Sequence, residues 1–352
     1  MTRLALGLSA GMTLEEIIEC VRLADRGGYE TVFVIESYAD QYALLGACAR
    51  ETSRIRLATG VTTVYYRTPT SLAVAAATVA ELSGGRFVLG LGTGHREIVR
   101  MRDDVEPARP LPYARSLDRL RETVEAVRAV AAAAERNEHV SYRGEIFEIR
   151  DYLPWIPVRP GRRIPIYFGS FFEAGWELAG ELADGVVPIV MPLPLVDRYV
   201  AAVHRGAARA GRDPGEVDVG CYVPCCVDDD EERARLALRH LVAFHMSEYR
   251  HYQRWFANQG HAALVERVGE LVRGGELLAA ARLLPDDVVD SVAVGGTAEQ
   301  CRAGLERYRA AGVQLPVVYP IHPGFTSYLP SPETAVGTRH VIASLAPDGP
   351  TG

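Results

Sequence analysis

Several short apolar runs in this sequence end directly in side chains that can do chemistry. Val34-Ile35 is followed by Glu36 and Ser37. A carboxylate behind such a run is costly unless it is paired or has a task, so Glu36 reads either as half of an ion pair or as an acid/base group. Leu89-Gly90-Leu91 runs into Gly92-Thr93-Gly94-His95. Two glycines let a ligand approach the backbone, Thr93 offers a hydroxyl for a hydrogen bond, and an imidazole with an ordinary pKa of about 6.5 suits proton transfer near neutral pH. Gly60-Val61-Thr62 closes a third run, with a small residue beside an apolar, β-branched backstop. A fourth ends in Gly169-Ser170-Phe171-Phe172 and passes at once into a helical segment with Ala174 in its first turn. Free N–H groups at such a helix start favour an anion, so this is the expected seat of a ligand's phosphate. His322, behind Tyr319-Pro320-Ile321, either faces a substrate or caps a surface loop.

Other constellations point away from metal or redox chemistry. The nine histidines include no HExxH and no i,i+4 pair, so no metal centre is expected. The six cysteines form no CxxC pair and read as small buried hydrophobes.

These strand ends need a scaffold that places them on one rim. Strand patterns fall at 3–8, 30–35, 55–61, 86–91, 164–169, 185–190, 217–227 and 314–319. Helical patterns lie between them at 13–27, 41–53, 70–83, 113–135, 171–183, 194–211, 229–280 and 297–311. Eight apolar strands alternating with helices predict a closed parallel α/β barrel, with ligands at the carboxyl ends of the strands. No dinucleotide GxGxxG supports an open doubly wound sheet. Two insertions are expected in a single domain over 1–352: a β-hairpin within 136–163, and a segment at 240–285 that is densest in aromatics over 240–262. Aromatics at helical spacing predict packing or dimerisation first, with Tyr249, Tyr252 and Trp255 as secondary substrate contacts. A last helix is expected near 332–345.

The stretch from Ala58 to His95 also resembles a known family. Thr59-Gly60-Val61-Thr62, Arg67-Thr68-Pro69, and Leu82-Ser83-Gly84-Gly85-Arg86 leading into Gly90-Leu91-Gly92-Thr93-Gly94 are similar to the luciferase-like superfamily, most of all to its branch that uses the deazaflavin coenzyme F420. The likeness extends more weakly over about residues 3–320. It implies a (β/α)8 TIM barrel with insertions, and hydride transfer between the deazaflavin and a small organic molecule. The alternative is an FMN-dependent monooxygenase served by a partner reductase; a non-catalytic flavin-binding barrel is disfavoured by polar groups at three strand ends. The resemblance implies a cis peptide between Gly60 and Val61, where a bulge supports the ring. It implies cofactor contacts at Gly60, Val61, Thr62, Gly92, Thr93, Gly94, Gly169, Ser170, Phe171 and Ala174, with His95 and Glu36 catalytic. Ser37, Tyr65, Tyr252, Trp255 and His322 are the expected substrate contacts. Three departures stand out: Ser37 replaces the branch's histidine, His95 replaces a glutamate, and Phe171-Phe172 replaces a pair of small residues.

Bulk properties narrow the partners. Hydrophobic residues make up 48% of 352, enough for a large core, and a net charge of −7 without a basic block disfavours nucleic acid and anionic membranes. No apolar run approaches bilayer length and the chain opens on strand-forming residues, so a cytoplasmic homodimer acting on a small molecule is expected.

Overall fold

The structure, a computed structural model, describes residues 3–36, 39–95, 99, 115–156 and 163–349. In chain order its strands are β1 (Ala5–Leu8), β2 (Thr31–Val34), β3 (Arg56–Thr59), β4 (Thr62–Thr63), β5 (Phe87–Gly92), β6 (Val140–Arg143), β7 (Glu148–Tyr152), β8 (Ile166–Gly169), β9 (Gly185–Val186), β10 (Asp218–Val227), β11 (Val294–Gly296) and β12 (Leu315–Pro320). The chain forms two compact units, one of residues 31–188 and 199–219, the other of residues 1–30, 189–198 and 220–352.

In the first unit β2, β3, β5, β8 and β9 lie side by side and parallel, and Asp218-Val219 pair with Gly185-Val186. Helices α1 (Leu14–Arg26) of the second unit and α2 (Gln41–Glu51) and α3 (Pro69–Leu82) of the first are started by their N-caps: Thr13 in a capping box with Glu16, then Asp40, then Thr68 ahead of Pro69. Arg86 explains why Ser-Gly-Gly-Arg precedes β5. Its guanidinium donates to the carbonyls of Ala49, Thr52, Ile55 and Ser83 and to the Thr52 hydroxyl, tying the end of α2 to the strand starts. Helix α4 (Ser116–Arg136) follows β5 and ends at Asn137 in the left-handed conformation. The expected hairpin is there, as antiparallel β6 and β7. The buried Glu122 of α4 holds it by accepting the N–H groups of Glu145, Ile146 and Phe147 at 2.9–3.0 Å. Helices α5 (Glu173–Leu182) and α6 (Val196–Arg209) come next in the chain.

In the second unit the parallel order is β11, β10, β12, β1. The single helical pattern at 229–280 breaks into α7 (Glu231–Glu248), α8 (Arg250–Phe256), α9 (Ala262–Arg273) and α10 (Leu277–Arg282). Tyr249 is extended between α7 and α8, and Gly260, at φ +91°, interrupts the turn before α9. The pattern at 185–190 forms strand only over Gly185–Val186, and β11 was not anticipated. Helices α11 (Asp286–Asp290), α12 (Ala298–Ala310) and α13 (Pro332–Ser344) complete the unit, α13 being the expected last helix.

All six cysteines are buried and free, and burial pushes the Cys20 and Cys301 thiols up to about 12, as packing residues require. Among the described residues no helix is long and apolar enough to cross a membrane.

Candidate active site at the ends of β3, β5 and β8

The peptide between Gly60 and Val61 is cis, as the family resemblance implied. On one side the Gly60 N–H donates to the Val34 carbonyl at 2.8 Å; on the other Val64 N–H donates to the Gly92 carbonyl at 3.0 Å. Between them Thr62 and Thr63 pair with Leu91 and Gly92 of β5. The buried Thr59 hydroxyl donates to the Gly90 carbonyl and accepts the Gly90 N–H, both at 2.8 Å, so a side chain stands in for the strand ladder where the chain bulges.

The side chain of Val61 occupies the space that the glycines leave. Gly92 and Gly169 are register partners on β5 and β8. A Cβ on Gly92 would meet Val61 Cγ2 at 2.7 Å, and one on Gly169 would meet both Val61 methyls at 3.0 and 3.1 Å. Three strand ends thus converge on one half-buried valine with no other side chain from these positions.

A polar layer supports this floor. The half-buried Glu36 sits just past β2 and its Oε2 accepts the Thr63 N–H at 2.9 Å. Thr62 Oγ1 accepts from Gln41 Nε2 at 2.7 Å and lies 2.8 Å from the Tyr42 hydroxyl. Burial pushes the Tyr42 phenol well above its ordinary pKa, so it stays neutral. Gln41 and Tyr42 were not anticipated: they are helix residues whose partners lie on another element, and no local pattern marks them, while Thr59 stood in the motif of the resemblance without an expected role.

Gly94, at φ +64°, turns the chain after β5 against Thr63, whose methyl would lie 2.8 Å from an added Cβ. His95 follows, half-buried, with its ring centroid 5.7 Å from that of Phe171 and tilted by 30°. Its carbonyl accepts the Val99 N–H at 2.8 Å. The loops after β5 and β8 therefore meet through His95 and Phe171. Ser170 is buried, and its carbonyl accepts the Trp176 indole N–H at 3.0 Å. Phe172 is the N-cap of α5 without a side-chain cap, Ala174 is exposed in the first turn, and Glu173 beside it is paired with Arg205.

The expected substrate contacts are spread more widely. Tyr65 is half-buried two residues past Thr63, with the Arg119 guanidinium 4.8 Å above its ring. In the second unit the buried Tyr252 donates its hydroxyl to the Ile189 carbonyl at 2.7 Å, and Trp255 packs edge-on against Phe256. Phe244, His245, Tyr249, Tyr252 and Tyr328 pack edge to face there, which accounts for much of the aromatic density. His322 is buried beside Phe325 and lines a small cavity with Ser9, Met12 and Tyr328. Ser37 lies outside the described residues.

Comparison with known proteins gives the arrangement a lineage. Residues 1–315 match the family model described as luciferase-like monooxygenase. The chain is 30% identical over 324 residues to 5,10-methylenetetrahydromethanopterin reductase of Archaeoglobus fulgidus, covering 89% of this chain and 92% of the relative. Its fold is similar to coenzyme F420-dependent tetrahydromethanopterin reductase from Methanopyrus kandleri, with TM-score 0.81 at 23% identity over 98% of both chains. It is also similar to an F420-dependent secondary alcohol dehydrogenase solved with an F420-acetone adduct, with TM-score 0.74 at 19% identity over 98% of this chain and 99% of the other. The fold is accordingly the (β/α)8 barrel expected from the alternation of strands and helices. The chain belongs to the luciferase-like monooxygenase family, as one of its oxidoreductases.

Proposed function

We propose that this enzyme uses coenzyme F420 and passes a hydride between the deazaflavin and a small organic substrate. The observation that carries the reading is the floor made by Val61 against Gly92 and Gly169: it offers a flat ring an apolar support at strand ends stripped of side chains. The names of its relatives favour a deazaflavin over FMN as that ring. Bound there, the deazaflavin would supply reversible two-electron hydride chemistry at a ring carbon.

The chain's own residues would bind and orient. Val61 would back one face of the ring and leave the other for the substrate. Gly60, Thr62 and Gly92-Thr93-Gly94 would border it, and Gly169, Ser170, Phe171 and Ala174 would lie along the side chain. Glu36 has an oxygen committed to the Thr63 N–H, which makes it a holder of the bulge as well as a candidate acid. His95 packs its ring against Phe171, and an imidazole there would hold or release the proton that accompanies the hydride. Tyr65, two residues past Thr63, would be a substrate contact.

Fluorescence titration of the protein with F420 and with FMN tests the cofactor. Tight FMN binding without F420 binding would replace this reading with the monooxygenase one. With the cofactor established, His95→Ala should lower turnover by about 10²-fold while cofactor affinity changes little. Full activity in that variant would remove His95 from the proton step.

A further inference from the structure

We propose that Arg119 anchors an anion-binding site that takes a carboxylate or phosphate group through its guanidinium fork. Arg119 lies in the first turn of α4, the helix that follows β5. Its guanidinium is 4.8 Å from the centroid of Tyr65 and 4.8 Å from that of Phe147, so two aromatic rings hold it. Its Nε donates to the Val64 carbonyl at 3.1 Å, which fixes the plane and leaves the two Nη groups as the remaining donors. Val64 is the residue after the bulge and is itself bonded to Gly92, so the cation is tied to the backbone of the candidate active site.

A half-buried charge is costly unless paired, and burial lowers the affinity of this guanidinium for its proton. Among the described residues Arg119 makes no ion pair. The carboxylate that bears on it most, Glu122 one turn along α4, has both oxygens occupied by the N–H groups of Glu145, Ile146 and Phe147. The hairpin therefore does two things at once: it withdraws Glu122 and supplies Phe147 as one aromatic wall. What remains is a half-buried fork, held in place by its neighbours and suited to a planar or tetrahedral oxyanion, a task for which lysine is a poor substitute.

The anion can belong to the cofactor's phosphate-bearing side chain or to an acidic substrate. The first source rests on the cofactor reading above; the second does not. The test measures wild type, Arg119→Gln and Arg119→Lys, each checked for folding by circular dichroism. Affinities are taken for F420 and for the deazaflavin chromophore without its phosphate side chain, and thermal protection is taken with inorganic phosphate and with malonate. A loss of about 10- to 100-fold for F420 in Arg119→Gln, with the side-chain-free chromophore unaffected, upholds the site and assigns it to the cofactor. Unchanged affinity for both chromophores, with phosphate or malonate protection present in wild type and lost in Arg119→Gln, upholds it and assigns it to the substrate. Arg119→Lys, charged but without the fork, should fall between wild type and Arg119→Gln. If wild type binds neither chromophore the cofactor reading fails, while protection lost in Arg119→Gln still upholds the site. Identical behaviour of wild type and Arg119→Gln toward all probes would overturn the proposal, as would equal losses for the two chromophores.

Discussion

Gly92→Ala is the sharpest probe of the floor, because the structure names the atom it would strike. The added methyl would sit 2.7 Å from Val61 Cγ2 and 3.2 Å from the Gly169 carbonyl, where ordinary contact is 3.4–4 Å. Val61 has little freedom to yield, since its other methyl faces Gly90 and both methyls face Gly169. Overpacking of this kind costs about 1–3 kcal/mol, and the rigidity of a β-branched partner puts the expectation near 2 kcal/mol. Val61→Ala alone removes two half-buried methyl groups, worth about 1 kcal/mol. In the double variant the colliding methyl is gone, so its loss should fall short of the sum of the single losses by about 1–2 kcal/mol. Urea unfolding of the four proteins measures this coupling. Deazaflavin titration of the same set should show Gly92→Ala binding about 10-fold more weakly, with part of the loss recovered in the double variant, as about 1.4 kcal/mol per tenfold allows. Additivity within about 0.5 kcal/mol would mean that Val61 does not fill the space beside Gly92.

Three further outcomes follow from the same structure. Glu36→Ala should cost about 1–2 kcal/mol of stability because the buried Thr63 N–H loses its acceptor, whereas Glu36→Gln, which keeps an oxygen, should stay closer to wild type; urea unfolding would tell them apart, and equal losses would count against the hydrogen bond. Glu122→Gln replaces one accepting oxygen by an NH2 group that cannot accept, which should cost about 1–3 kcal/mol and speed hydrogen exchange across β6 and β7; unchanged exchange there would contradict the anchoring role. Burial lowers the pKa of His240 and His322, so the unfolded chain binds more protons below about pH 6.5 and stability must fall as pH drops from there toward the depressed native values, by at most about 1.4 kcal/mol per pH unit for each. His322→Gln should flatten that decline in unfolding measured at pH 7, 6 and 5, and an unaltered slope would show that His322 takes no part.

The barrel was legible because parallel strands buried on both faces read as apolar runs, and the eight such runs all correspond to observed strands. The glycines were legible for a related reason: a strand end without side chains is unusual enough to mark close approach. The long helical pattern at 229–280 misled because apolar periodicity carries through Tyr249 and Gly260, although the backbone at both leaves the helix.

The supports of the site were illegible for a more basic reason. Glu36 was conspicuous as a carboxylate behind an apolar run, yet what it meets is the backbone N–H of Thr63, a group that every residue but proline carries and no sequence pattern distinguishes. Arg119 is the converse. As one arginine among many on an amphipathic helix it drew no notice, and its character comes wholly from Tyr65, Phe147 and the Val64 carbonyl, contributed by two other segments. Residue types at strand ends reveal where a ligand can come close. Which charges are withdrawn and which are left to meet it depends on long-range hydrogen bonds: three backbone N–H groups of one hairpin turn occupy Glu122, and Arg119 is left a cation that the described carboxylates do not pair.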